Sequence, residues 1–112
     1  MIEALWSLEF LSNKNSVGAG IAVIETGRVL GGDSAFMYVG NIRVEHSTVH
    51  ADILVIRYSN VMGMRSIFDP LTKFNLKVSG PLSATDILLT GHVVEQPTLQ
   101  IQVHAIRRAE LP

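Results

Sequence analysis

In the stretch "KFNLKV", Lys73 to Val78, every second side chain is apolar and each one between is polar or charged. That period of two constrains the chain more than anything else in it. Residues i, i+2 and i+4 share one face of an extended strand, whereas a helix would scatter them around its circumference. Phe74, Leu76 and Val78 therefore face a core while Lys73, Asn75 and Lys77 face water. The same rhythm runs through Trp6, Leu8 and Phe10, set against Ser7 and Glu9, and through Leu99, Ile101 and Val103, set against Gln100, Gln102 and His104. Gly18 to Glu25 is a second strand, and Thr26-Gly27 follows it at hairpin spacing, where glycine supplies the positive φ of a tight turn. Arg28 to Leu30 is a short third strand and Phe36 to Ile42 a fourth. Val49 to Tyr58 is a fifth, apolar on both faces because Ile53 and Val55 oppose Leu54 and Ile56. Ile87 to Val94 and Leu99 to Arg107 pair across "EQPT". Only "SNVMGMRSIFDP", Ser59 to Pro70, breaks the alternation, and a short helix ended by Pro70 is expected there.

About eight antiparallel strands in 112 residues make one all-β domain over 1–112, a sandwich or a barrel. The barrel is the better expectation. Eight strands close around an interior just wide enough for side chains or one small ligand, and closure removes exposed edges. Large inward residues, Trp6, Leu8, Phe10, Phe74, Leu76, Ile101 and Val103, are expected to fill it. A membrane-spanning barrel would carry aromatic girdles, which one Trp and two Tyr do not supply.

The charges narrow the function classes. Nine basic and ten acidic residues are scattered along the chain for a net charge of -1, so the basic footprint of a direct nucleic-acid binder is missing. No cysteine offers a nucleophile or thiolate ligand. With no basic leader and no long apolar run, the expectation is a soluble cytoplasmic protein that engages no membrane. No cofactor is implied. His46 and His50 have helix-type metal spacing, but on a strand or turn they do not converge, and with His92 and His104 they read as surface histidines rather than metal ligands. Ser47, His50 and Asp52 can be drawn as a triad, yet no nucleophile elbow or oxyanion glycine accompanies them. A non-enzyme is expected. Arg57 shares the parity of Val55 and so belongs at the barrel rim; turned inward it would need Glu9 or Asp86 as a partner.

"LGGDSAFMYVGN", Leu30 to Asn41, has the glycines, acid and hydroxyl of an anion cradle, but a strand follows it instead of a helix. Gly31, Gly32 and Asp33 therefore read as a structural turn, with Asp33 bonding backbone N–H groups ahead of it; a partner contact and an anion site are the alternatives.

"WSLEFLSNKNSVGAGIAV" followed by "GGDSAFMYVGNI", then "IRYSN" and "GHV", resembles the GrlR-like negative regulators of bacterial type III secretion over nearly the full length. The resemblance implies a small lipocalin-like β-barrel that dimerises and sequesters a transcriptional activator, without catalysis. It also implies that Trp6 plugs one barrel end, although Ala4 stands where lipocalins usually carry glycine. In that family's prototype an acidic run on an exposed turn is implicated in gripping the activator, and the resemblance implies the same place for the contact. Here that turn reads Val44, Glu45, His46, Ser47, Thr48, so Glu45 and His46 are the candidate partner contacts. The apolar faces of Val49 to Tyr58 and of Met62 to Ile67, with Met62 and Met64 as adaptable side chains, predict a homodimer. The alternative function is a carrier of a small hydrophobic ligand inside the barrel.

Overall fold

A computed structural model describes residues 2–60 and 66–112 of the chain. Eight antiparallel strands form a closed barrel in sequential order, with the last pairing to the first. They are β1 (Ala4–Ser12), β2 (Val17–Glu25), β3 (Arg28–Gly32), β4 (Phe36–Glu45), β5 (Thr48–Arg57), β6 (Lys73–Pro81), β7 (Asp86–Val93) and β8 (Gln100–Ala109). The fold class is the one that the alternation predicts. Several strands run past the expected limits, because a strand continues as long as its neighbours offer ladder partners. β3 extends through Gly31 and Gly32, which pair with Tyr38 and Met37.

Two-residue turns set the register at two hairpins. Thr26 and Gly27 have φ of 48° and 76°, and His46 and Ser47 have φ of 51° and 65°, the left-handed pair that matches strand twist. The first is the hairpin expected at Thr26-Gly27. The second places two L-residues with side chains in that region, which costs free energy that glycine would avoid.

Among the described residues there is no helix. In the expected helix over Ser59–Pro70, residues 61–65, including Met62 and Met64, lie outside the described set. Residues 67–70 form turns, with Asp69 N–H donating to Ser66 O at 3.1 Å and Leu71 N–H to Phe68 O at 2.9 Å. Bonds of this three-residue span make isolated turns. From here Phe68 reaches into the core, 3% exposed, and meets Phe74 edge-to-face with ring centroids 5.7 Å apart.

Candidate functional site

Two regions are the candidates: the interior and one outer face. All seven residues expected inside, Trp6, Leu8, Phe10, Phe74, Leu76, Ile101 and Val103, line the interior. Trp6 is fully buried; its indole N–H donates to Ile2 O at 2.8 Å, and the Arg107 guanidinium lies 5.9 Å from its ring centroid. A register shift between Leu5 and Trp6 on the β1–β8 ladder brings Arg107 to this spot, since a bulge re-aims the side chains that follow it. Small residues, among them Ala22, Ala51 and Ala105, alternate with the large ones and leave a cavity of about 140 Å³.

The interior also holds a phenol. Tyr38 is 6% exposed and donates its hydroxyl proton to the Asp33 carboxylate. The other carboxylate oxygen of Asp33 accepts N–H bonds from Ala35 at 2.9 Å and Phe36 at 2.8 Å. Tyr58 donates its own hydroxyl to Asp33 O at 2.6 Å, which ties the end of β5 to the β3–β4 turn. Burial first, then the bond to Asp33, pushes the Tyr38 phenol far above the usual tyrosine value. Gly20 makes the arrangement fit, because a Cβ there would stand 2.6 Å from the phenol oxygen. The shared parity of Phe36 and Tyr38 announces an inward tyrosine in the sequence, and only the polar hydroxyl conceals it.

Gly31 and Gly32 act differently from the expectation that they form the corner. They lie inside β3, and neither has positive φ. A Cβ on Gly31 would meet Ile21 O at 2.1 Å and one on Gly32 would meet Phe36 O at 2.8 Å, so close backbone approach is what requires them. Asp33, one residue on, forms the turn.

On the outer surface, Leu5, Val23, Leu30, Val39 and Leu54 stand opposite one another across five adjacent strands, β1 to β5. In the next row toward the Asp33 end, Ile21 aligns through Gly32 with Met37 and Ile56. Ile21 is 54% exposed, Leu30 47%, Val39 43% and Met37 39%. At strand and side-chain spacings, these two rows cover about 300 Å². A polar row borders them: Glu25, Arg28, Asn41, Asp52 and Lys77. Its charges are paired, Arg28 with Glu25 at 3.3 Å and Lys77 with Asp52 at 4.0 Å, and Arg43 beside the row reaches Asp52 at 3.5 Å. The doubly apolar fifth strand is one member of this face. Its other members are invisible strand by strand, because register decides which outward residues meet.

The remaining candidates do not assemble. His46 sits on the β4–β5 turn and His50 on the outer side of β5 opposite Arg43. Among the described residues no three His, Asp or Glu side chains converge on a metal position. Asp52 faces Arg43 and, at 4.0 Å, Lys77, while Ser47 occupies the turn. Glu45 is held by Arg43 at 2.7 Å, and that bond keeps its carboxyl below the usual range. Arg57 lies with its guanidinium 5.4 Å from the Phe36 ring centroid. Glu9 and Asp86, named as partners for an inward Arg57, instead flank His104 on the outer surface at 3.7 and 3.1 Å. The bond to His104 draws the Asp86 carboxyl down.

No protein-family model matches the chain, and no curated protein matches it.

Proposed function

We propose that this protein is a non-enzymatic cytoplasmic regulator that binds other proteins, forming a homodimer and holding a transcriptional activator away from its promoter. The observation that carries the reading is the two-row apolar face over β1 to β5. An exposed apolar patch of this kind, rimmed by polar residues, marks a protein contact. A standard interface buries about 800 Å² per partner, so the apolar rows supply its centre and the paired charges its rim. Because those charges include both signs, the face fits a second copy of itself in a two-fold dimer. The activator as partner rests on the resemblance to GrlR-like negative regulators. The neutral overall charge supports acting on an activator in preference to DNA.

In this reading the β4–β5 turn, with Glu45 and His46, meets the activator. Six residue steps along β4 separate Val39 from Glu45, about 20 Å of strand, which leaves the turn clear of the dimer face. Since Arg43 already neutralises Glu45, activator binding is expected to weaken only modestly as salt rises. The test isolates partners from the source cell, identifies them, and measures how the purified activator binds its promoter as this protein is added. Release of the promoter, lost on Glu45→Lys with His46→Ala, is the expected result. Equal affinity for the doubly changed protein removes the turn from the contact. If no protein partner is captured and an apolar molecule copurifies, the carrier reading prevails.

A further inference from the structure

We propose that the barrel interior is a binding site for a neutral, single-ring molecule carrying one hydroxyl group, a phenol or a cyclic alcohol. The site is separate from the outer face, so its fate does not depend on that of the protein-binding reading.

The size comes first. A cavity of about 140 Å³ walled by Leu8, Phe10, Ala22, Ala51 and Leu76 is close to the volume at which an apolar engineered cavity stays dry and admits benzene. Such a space holds a ring of about six to eight non-hydrogen atoms. Drug-sized ligands need pockets of about 300 Å³ or more, and long acyl chains are excluded on the same ground.

The polar wall then selects the substituent. Tyr38 and Asp33 both line the cavity. The Tyr38 proton is committed to Asp33, and one carboxylate oxygen is occupied by two backbone N–H groups. What this pair has left to offer is lone pairs: those of the phenol oxygen and of the carboxylate oxygen beside it. A ligand satisfied here must donate, which a hydroxyl does and an ether or ketone does not. A carboxylate ligand would meet Asp33 with like charge, and a cation would lose its hydration to apolar walls. Phenylalanine at position 38 would fill the same volume without burying an oxygen. The hydroxyl and the glycine that makes room for it, Gly20, thus place a directed acceptor in a barrel whose remaining lining is apolar but for Ser66, whose oxygen accepts the Phe68 N–H at 2.9 Å.

The experiment titrates phenol, toluene and benzoate into the purified full chain, by calorimetry and by ligand-observed NMR. Phenol is expected to bind saturably, toluene about fivefold more weakly for the loss of one hydrogen bond, and benzoate not at all. Ala51→Leu fills the space and should abolish binding of both rings; Ala105→Val serves if that variant does not fold. Tyr38→Phe together with Asp33→Ala, which removes both acceptors, should bring phenol down to the affinity of toluene. The proposal is overturned if neither ring binds the folded protein, if binding survives filling of the cavity, or if the folded double variant keeps the native phenol-to-toluene ratio.

Discussion

Asp33 illustrates how one side chain can organise a corner: a single carboxylate accepts from two backbone N–H groups and a buried phenol. Removing the phenol hydroxyl in Tyr38→Phe takes away a bond to a charged group, worth about 1.5–3 kcal/mol, and urea unfolding should show a loss of that order. The same pair sets a pH dependence. Because folding raises the Tyr38 value above its ordinary 10.0, the unfolded chain releases that proton first as the solution turns alkaline. The stabilisation is therefore complete below about pH 10 and falls as pH climbs through and beyond that value. Urea midpoints compared across that range should fall more steeply for the native protein than for Tyr38→Phe. At the β4–β5 turn, Ser47→Gly relieves a left-handed residue and should stabilise by about 0.5–1 kcal/mol. Gly31→Ala should cost at least about 2 kcal/mol, because its Cβ meets the Ile21 carbonyl rather than a side chain that can rotate away. The need for glycine at 31 and 32 is legible in the sequence but its cause is not: a composition of turn residues looks the same whether φ or close packing demands it.

At the scale of elements, strand identity was written in the period of two, and seven inward residues from Trp6 to Val103 follow from it directly. What alternation cannot carry is the relative slide of neighbouring strands. Leu30 and Val39 look like isolated surface residues until the β3–β4 register sets them opposite each other. For the same reason the meeting of Glu9 and Asp86 at His104, through β1, β8 and β7 on the outside of the wall, is not visible in the alternation. The region after β5 misleads for a different reason: a break in the alternation closed by Pro70 reads as a short helix, but turns at 67–70 deliver Phe68 onto Phe74. The outer face yields its own prediction. Leu30→Glu with Val39→Glu puts two like charges side by side in the middle of the apolar rows. Sedimentation at micromolar concentration should then give a monomer where the native chain is expected to give a dimer, with the melting temperature little changed because both residues are exposed.

For the molecule as a whole, the order of strands around the barrel is the order along the chain. Seven of the eight ladders join strands that follow one another, and each can form while the rest of the chain is still loose. The β1–β8 ladder is different: where Arg107 reaches back to Glu3 O, the two residues are 104 positions apart. Closure across so long a stretch of chain is costly in entropy, so this ladder is expected to form last. Interactions that appear only after the rate-limiting step slow unfolding and leave folding almost untouched. Trp6→Phe, which weakens the packing beside that ladder and removes the indole bond to Ile2 O, should therefore steepen the decay of the folded state in stopped-flow unfolding while refolding rates stay within about twofold. On that expectation, the time this protein survives once folded is governed at one seam, and the time it takes to fold at the other seven.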